Sequence, residues 1–270
     1  MSEGERTGRP IVTLLTDFGV DDGFVGMMKG VILQRSPRSP LVDLSHAIAA
    51  QDVRAAGHVL ADSWRFFPPG TIHVAVVDPG VGSDRGILAA RVDGQVMLAP
   101  DNGLLTAVFA QSPPTETRAL SNRDVFLKTI SQTFHGRDIF APAAGALAGG
   151  MAFEDVGPPV DRWVALDLPV PTVDESGAVV GEVVSVDRFG NLVTNVPGPM
   201  LPLMPRVAIA GRFIDRLSRS YAEAAPGELV AIISSSGRLE IAANRADAAR
   251  TLGVGVGAPV TIASGAGDAR

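Results

Sequence analysis

Most informative for the fold class is the segment Thr71-Ile72-His73-Val74-Ala75-Val76-Val77-Asp78-Pro79-Gly80-Val81-Gly82. Its first seven residues are almost wholly apolar, which is typical of a strand buried on both faces in a parallel sheet. Open α/β sheets place their ligands at the carboxyl ends of such strands, and Asp78 stands at this position. In the turn that follows, Gly80 and Gly82 carry no Cβ, so the backbone can approach a ligand closely. The segment predicts an α/β fold with a ligand site beside Asp78.

Strands and helices alternate on either side of this segment. Residues 11–15 and 41–44 are short apolar runs, and each is followed by apolar side chains at helical spacing. Further along, residues 86–92 and 95–98 alternate about Asp93-Gly94, a strong hairpin signal. The hairpin adds an antiparallel strand, so we predict a mixed, mostly parallel sheet between helical layers.

A change of pattern divides the chain into two predicted domains. Residues 1–160 form the N-terminal α/β/α sandwich, and the proline-rich residues 161–178 form a linker with little periodicity. Residues 179–270 contain short strands separated by Gly or Pro turns, which predicts a small antiparallel β-barrel. The predicted fold class is therefore α/β, with an α/β/α sandwich followed by a barrel.

Composition excludes several classes of protein. The 270 residues carry a net charge of −6, and we see no basic stripe, so nucleic-acid binding is not expected. There is no cysteine, which excludes disulfides and thiolate chemistry and favours a cytoplasmic location. We expect neither a signal peptide nor a membrane span. The four histidines show no paired spacing, so no metal site is predicted.

Three side chains on two Gly-rich turns form a candidate catalytic group. Asp78 and Arg85 follow the predicted buried strand, and His135 lies in Thr133-Phe134-His135-Gly136-Arg137-Asp138. An arginine carries a permanent positive charge, and a histidine can orient or transfer a proton near neutral pH. Taken singly, each residue also has a structural explanation, because Asp-Pro-Gly is a common turn and Arg85 could be a surface charge.

Four motifs in one order carry a family resemblance. They are Leu15-Thr16-Asp17-Phe18-Gly19, Asp78-Pro79-Gly80-Val81-Gly82, Phe134-His135-Gly136-Arg137-Asp138 and Asp187-Arg188-Phe189-Gly190-Asn191. Over residues 11–259 the chain resembles the S-adenosylmethionine (SAM) hydroxide adenosyltransferases, relatives of the fluorinases and chlorinases. The resemblance implies hydrolysis of SAM to adenosine and L-methionine, with Asp78, Arg85 and His135 handling the attacking water. It also implies a homotrimer with active sites between subunits.

The resemblance further implies a set of SAM-binding residues. Asp17, at the end of the first strand, would accept hydrogen bonds from ribose hydroxyls, although a helix cap or turn explains it equally well. Asp187 would bind an ammonium group, Phe189 would stack on adenine, and Asn191 would pair with an adenine or ribose edge, unless this loop is merely a hairpin turn.

A later stretch resembles the family's Ser-x-Gly-x-Leu-Glu-Ile-Ala sequence. The resemblance implies that Ser235, Ser236 and Glu240 contact the amino-acid tail or the adenine. Alternation along the predicted strand, taken alone, instead puts Glu240 on the solvent side. His46 follows another strand end, and we favour a structural role for it.

Three alternative functions remain open at this stage. A halogenase-like enzyme is disfavoured, because Asp78 would repel a halide and His135 would fill its place. A SAM or adenosine sensor that binds without turnover would not need the Asp, Arg and His set. A metal-dependent phosphohydrolase could use Asp17 and Asp78, and activity that survives a chelator would exclude it. The sulfonium is already a good leaving group, so we expect no metal or redox cofactor.

Overall fold

The predicted buried strand is the third strand of a six-stranded sheet. The structure is a computed structural model and describes residues 8–265. The strands of this first sheet are β1 (Val12–Thr16), β2 (Leu41–Ser45), β3 (Ile72–Val76), β4 (Ile87–Val92), β5 (Gln95–Pro100) and β6 (Glu116–Ala119). Their order is β2-β1-β3-β5-β4-β6, and β4 is antiparallel to both of its neighbours. The predicted mixed, mostly parallel sheet is confirmed.

Helices cover this sheet. They are α1 (Phe24–Arg35), α2 (Val53–Ser63), α3 (Thr106–Gln111) and α4 (Ala141–Gly149). α1 and α4 pack together over Val12, Leu14 and Val74, all buried. α2 packs against α3 and contacts β1 and β2. Asp52 caps the N-terminus of α2, because its carboxylate accepts a hydrogen bond of 2.8 Å from the amide of Ala55.

The C-terminal part of the chain is almost entirely antiparallel sheet. Its strands are β7 (Thr172–Val173), β8 (Val179–Val186), β9 (Leu192–Pro197), β10 (Pro205–Ile209), β11 (Arg212–Ile214), β12 (Leu229–Ile233), β13 (Arg238–Ala243) and β14 (Pro259–Ser264), with a short helix α5 (Ala248–Leu252). The order β11-β10-β14-β8-β9-β13-β12 is nearly closed, since Leu217, after β11, pairs with Ala231 of β12. The interior is filled by side chains such as Val183, Val207 and Ile241. The predicted barrel-like sheet is confirmed.

The chain divides into two compact units, with the boundary between Asp167 and Leu168. We call them the N-terminal and C-terminal units. The boundary falls within residues 161–178, the stretch predicted as a linker. Within residues 8–265, every helix is too short or too polar to cross a membrane.

Candidate active site

Asp78 lies just beyond β3, at the start of a tight turn. The amide of Val81 donates to the Asp78 carbonyl over 3.2 Å, and the hydroxyl of Ser83 donates to the Gly80 carbonyl over 2.7 Å. Gly82 has a φ of +80°, and a Cβ there would lie 2.3 Å from the carbonyl oxygen of Gln132. Glycine is therefore required at this position, and the turn packs directly on the loop that precedes His135.

Asp78 and Arg85 form a buried ion pair. The Nε atom of Arg85 lies 2.9 Å from each carboxylate oxygen of Asp78, and Nη2 also donates to Oδ2. The side chains are only 5% and 11% exposed, so little water screens the charges. This geometry fixes the guanidinium plane and directs its remaining donors.

The same guanidinium contacts His135. Nη2 of Arg85 lies 2.9 Å from Nδ1 of His135. Arginine can only donate, so Nδ1 must accept, and the neutral imidazole then carries its proton on Nε2. Burial and the Arg85 charge lower the pKa of His135, and they outweigh the opposing influence of Asp78, Asp138 and the Ser131 backbone. His135 is therefore a neutral hydrogen-bond donor through Nε2 near pH 7.

His135 occupies the start of an unusual helical turn. Residues Gly136–Phe140 form a π-helical turn that leads into α4, a distortion that is frequent at functional sites. A Cβ at Gly136 would lie 3.1 Å from Sδ of Met28 and 3.3 Å from the rings of Phe18 and Phe134. These two rings pack edge to face with centroids 5.8 Å apart, and they give the site an apolar wall.

One cavity in the N-terminal unit joins most of these groups. Its volume is about 270 Å³, and its walls are Asp17, Phe18, Gln51, Val76, Asp78, Pro79, Val81, Thr133, Phe134, His135 and Gly136. The structure thus brings three predicted residues, Asp17, Asp78 and His135, to one cavity, with Arg85 bonded to two of them. Gln51 was not foreseen, because it belongs to no recognisable motif, and Thr133 was quoted in the segment around His135 but not proposed as a site residue.

Asp17 is not a helix cap. α1 begins at Phe24, where the N-cap residue Gly23 makes no side-chain cap. Instead, Oδ2 of Asp17 accepts a hydrogen bond of 2.8 Å from the amide of Gln51. A carboxylate has about four acceptor positions, so this bond leaves capacity for ligand hydroxyls.

A second cavity lies in the C-terminal unit. Its volume is about 540 Å³, and its walls are Asp187, Phe189, Asn191, Tyr221, Ala243, Arg245 and Ala246. Phe189 is 75% exposed, so the face of its ring is free for stacking. Of these seven residues the sequence indicated Asp187, Phe189 and Asn191, whereas Tyr221 and Arg245 carried no signal.

Asp187 has a structural task within its own loop. Its Oδ1 atom accepts from the amides of Phe189 and Asn191 at 2.8 and 2.9 Å, and its Oδ2 accepts from the Asn191 side chain at 2.8 Å. The loop is therefore a hydrogen-bonded turn as well as a cavity wall. Any ammonium group would have to share a carboxylate that is already engaged.

Glu240 is buried, so the expectation from strand alternation was wrong. It is 5% exposed, because residues 239–243 of β13 are buried on both faces of the strand. Its Oε1 accepts a hydrogen bond of 2.8 Å from the Tyr221 hydroxyl. Burial raises the pKa of Glu240, and burial together with Glu240 raises the pKa of Tyr221 to about 12. Glu240 thus supports a residue of the cavity wall.

Ser235 and Ser236 lie elsewhere. They belong to the turn between β12 and β13, whose Gly237 carbonyl accepts from the amide of Gly198 beyond β9. The C-terminal cavity is at the opposite end of β13, at Ala243, roughly 20 Å away for a strand of this length. The structure does not bring these two serines to either cavity, and their role in binding stays a prediction.

The other histidines have internal partners. In His46, Nδ1 lies 2.8 Å from the Thr16 hydroxyl and Nε2 lies 3.1 Å from a carboxylate oxygen of Asp43, as befits a structural residue. His73 lies between Thr13 and Gln95, and burial lowers its pKa to about 4. Among residues 8–265, no three His, Cys, Asp or Glu side chains are grouped so that they could hold a metal ion.

Comparison with known proteins gives consistent matches over nearly the whole chain. Residues 12–157 match the model of the SAM hydroxide adenosyltransferase N-terminal domain, and residues 181–261 match that of the C-terminal domain. The (R)-S-adenosyl-L-methionine hydrolase of Salinispora tropica is 37% identical, over 95% of this chain and 98% of the relative. The enzyme of the same name from Thermus thermophilus is also 37% identical, over 94% of this chain and 99% of the relative.

More distant relatives and solved structures extend this picture. A fluorinase from an Actinoplanes species is 28% identical, over 94% of this chain and 98% of the relative. A crystal structure of an uncharacterized conserved protein from Thermotoga maritima superimposes with a TM-score of 0.88 at 36% identity, covering 93% of this chain and 99% of that one.

Proposed function

Because the chain belongs to the SAM hydroxide adenosyltransferase family, we propose that it hydrolyses (R)-S-adenosyl-L-methionine to adenosine and L-methionine. The observation that carries the proposal is the buried chain of hydrogen bonds from Asp78 through Arg85 to His135, at a cavity that also contains Asp17. The two hydrolase relatives described above, each 37% identical, are also closer to this chain than the 28% identical fluorinase.

The reaction is a displacement at ribose C5′. The water oxygen forms a bond to C5′ while the C5′–S bond breaks, and the electron pair of that bond neutralises the sulfonium. The attacking water loses a proton, which is released to solvent, so SAM and water give adenosine, L-methionine and one proton. Since the leaving group is already good, the protein has mainly to hold water in line with the C5′–S bond and to favour its anionic character.

Each member of the catalytic group then has a distinct task. The Nε2–H group of His135 donates to the water oxygen and orients it, because Nδ1 is occupied by Arg85. The Arg85 charge stabilises the negative charge that develops on that oxygen. The Asp78 carboxylate keeps acceptor positions beyond its bonds to Arg85, and it receives a hydrogen bond from the water. The phenylalanine wall limits competing solvent.

Recognition of the substrate uses groups from both units. We assign the ribose hydroxyls to Asp17, stacking on adenine to Phe189, and a hydrogen bond to the adenine or ribose edge to Asn191. In support, Asp17 lines the N-terminal cavity, and Phe189 and Asn191 line the C-terminal one.

A homotrimer with active sites between subunits is part of the proposal. In support, Val20, Phe24 and Met27 are 80%, 40% and 41% exposed, an apolar area that an interface would cover. Phe24 packs edge to face on Phe18 and Phe134, which line the N-terminal cavity. The test is to mix His135→Ala subunits, which are impaired in turnover, with Asn191→Ala subunits, which bind SAM weakly, at a SAM concentration too low to saturate the second variant. Partial recovery of turnover supports shared sites, and a mixed assembly without recovery contradicts them.

We further propose that the reaction needs no metal or redox cofactor and takes place in the cytoplasm. The chemistry supports the first point, because a sulfonium leaves without Lewis-acid help. The absence of cysteine from the sequence is consistent with the second. Full activity after extensive treatment with a chelator is expected, and its loss would favour a metal-dependent phosphohydrolase.

The decisive experiment for the reaction is turnover of SAM in water labelled with oxygen-18. Attack at C5′ puts the solvent oxygen in the 5′-hydroxyl of adenosine and leaves methionine unlabelled. The same reaction with added fluoride or chloride should yield no halogenated nucleoside. Unlabelled adenosine contradicts the mechanism, and tight binding of SAM without products identifies a sensor.

A further inference from the structure

Asp138 is a buried carboxylate close to the catalytic group, yet the proposed mechanism does not use it. Asp138 is 0% exposed, although an aspartate is costly to bury unless it is well paired. It is not among the residues that line the N-terminal cavity, so it does not face the substrate. Its burial calls for an explanation other than direct catalysis.

The hydrogen-bond partners of the Asp138 side chain belong to the segment around His135. Oδ1 accepts a hydrogen bond of 2.6 Å from Nε of Arg137, and Oδ2 accepts from Nη2 of Arg137 at 3.1 Å and from the amide of Ser131 at 2.8 Å. Ser131 in turn accepts, through its hydroxyl, a hydrogen bond of 2.9 Å from the amide of Phe134. Asp138 therefore closes residues 131–138 into a loop, which we call the 131–138 loop.

The 131–138 loop contains much of the cavity wall. Thr133, Phe134 and His135 all lie between the two ends that Asp138 joins, and each of them lines the cavity. The carbonyl of Gln132 packs against Gly82 of the turn after Asp78, so the loop also abuts the other half of the catalytic group. Any change in the loop moves Nδ1 of His135 relative to Arg85.

We propose that Asp138 is the positioning residue of the active site, and that it holds the 131–138 loop so that Nδ1 of His135 faces Arg85. The inference rests on the proposed function for its effect on turnover, whereas its effect on His135 does not depend on which reaction is catalysed. The negative charge of Asp138 also raises the pKa of His135 and partly offsets burial and Arg85.

The test compares Asp138→Asn with a matched control, Glu116→Gln. Glu116 is a partly buried carboxylate of β6 that also pairs with arginines, at 2.6 Å with Arg118 and 3.5 Å with Arg91, away from the cavity. The pKa and tautomer of His135 are measured from the nitrogen shifts of its ring by NMR, with the signal assigned from its loss in His135→Ala. Turnover and KM for SAM are measured on the same proteins.

For Asp138→Asn we expect a lower pKa of His135, a larger fraction of the Nδ1–H tautomer, and a kcat reduced about tenfold to a hundredfold, as for a small misplacement of a catalytic group. KM should change less than about threefold, since the residue does not touch the substrate. Glu116→Gln should match the wild type throughout. A misfolded protein would lose chemical-shift dispersion throughout its spectrum. Loss of a positioning residue should instead change the signals of His135 specifically.

Two further outcomes keep the proposal separate from the reaction. An unchanged tautomer of His135 in Asp138→Asn overturns the positioning role, whatever the turnover, because loss of the Asp138 charge lowers the pKa of His135 even when the ring does not move. A shifted His135 in a protein that never hydrolyses SAM supports the positioning role and removes the proposed reaction instead.

If Asp138→Asn fails to fold, Ser131→Ala is the second variant. It keeps the carboxylate and its bonds to Arg137, and it removes the hydroxyl, which holds the Phe134 amide and also interacts with the Asp138 carboxylate. We expect the same change of tautomer with about a threefold to tenfold lower kcat, and recovery in Ser131→Thr. A Ser131→Ala protein with wild-type tautomer and kcat overturns the proposal.

Discussion

In the N-terminal unit the charged side chains at the cavity pair with one another, whereas in the C-terminal unit the carboxylate at the cavity secures the backbone of its own loop. Asp78 and Arg85 are buried together, and Arg85 extends the contact to His135. Asp187 instead accepts three hydrogen bonds from its own loop and leaves Phe189 exposed. The first arrangement is suited to chemistry and the second to recognition.

The energetic argument for this division comes from burial. A buried ion pair contributes little to stability, because desolvation of the two charges offsets their attraction. Asp78 and Arg85 are therefore better explained by the need for a fixed positive charge beside His135 than by folding. The loop at Asp187 differs, because its carboxylate accepts short hydrogen bonds from its own turn and is not buried in an ion pair. These bonds order the backbone, and the turn presents an apolar ring to a ligand.

The largest expected effect is on turnover in the N-terminal unit. Arg85→Lys should lower kcat at least about a hundredfold, because one ammonium cannot hold both oxygens of Asp78 and also donate to His135. Asp78→Ala and His135→Ala should cost at least as much. Steady-state kinetics and thermal unfolding of each variant provide the measurement.

The control for this prediction is Arg91→Lys, since Arg91 pairs with Glu116 and Glu154 away from the cavity. It should keep wild-type kcat. If Arg85→Lys retained more than about a tenth of the activity, the need for a planar guanidinium would be contradicted, and the simple presence of a positive charge would suffice.

The second prediction separates the two units by their response to acid. All four histidines lie in the N-terminal unit, and burial lowers the pKa of His73 from 6.5 to about 4. Between these values the unfolded chain binds a proton at His73 that the folded protein excludes, so the free energy of unfolding falls as the pH falls. The loss should approach about 3 kcal/mol at pH 4 from this group alone.

Tryptophan fluorescence measures this loss, because both tryptophans, Trp64 and Trp163, lie in the N-terminal unit. Urea unfolding is followed between pH 7 and pH 4 for the wild type and for His73→Gln, which lacks the titrating ring. The variant should be less stable at neutral pH but should depend less on pH. Parallel pH dependence in the two proteins would show that His73 titrates normally.

The third prediction concerns recognition in the C-terminal unit. Asn191 is 6% exposed, and Asn191→Ala removes a polar partner at the cavity, so binding of SAM and of adenosine should weaken together by about 1 to 3 kcal/mol. Calorimetry on both ligands measures the change. Asn195→Ala, at a site further along β9 whose partners are Glu182 and Pro169, should bind both ligands normally. A loss confined to SAM would move Asn191 from the nucleoside to the methionine end.

The sequence predicted those parts of the fold that depend on neighbours along the chain. The apolar run of β3 and its exit at Asp78 are local patterns, and both are present in the structure. The place of Asp78 at a cavity followed from the rule that ligands bind at the carboxyl ends of parallel strands, whereas the family resemblance implied that His135 acts with it. The alternation of strands and helices predicted the α/β fold of the N-terminal unit, because this pattern also depends on neighbours along the chain.

Features that depend on packing between distant parts of the chain could not be predicted from sequence patterns. Alternation assumes that one face of a strand meets solvent, and it failed for Glu240 because β13 is buried on both faces. The contact between Tyr221 and Glu240 joins residues 19 positions apart, and no periodicity in the sequence predicts it. Asp138 was visible in a motif, but its burial and its bonds to Ser131 appear only once the π-helical turn is formed.

The smallest expected effect tests whether the exposed ring of Phe189 is a recognition surface. Phe189→Leu keeps an apolar side chain but loses the aromatic face, so binding of adenosine should weaken by about 0.5 to 1.5 kcal/mol, with free L-methionine unaffected. The matched control is Phe213→Leu, since Phe213 is 58% exposed in the same unit and lies under Arg206, outside the cavity. Because both substitutions remove the same atoms from exposed positions, a difference between them isolates stacking on the base from general loss of apolar surface. Equal affinities in the two variants would mean that the Asp187 turn orders the loop for some purpose other than adenine, and the contrast between a catalytic and a recognition cavity would then rest on Asn191 alone.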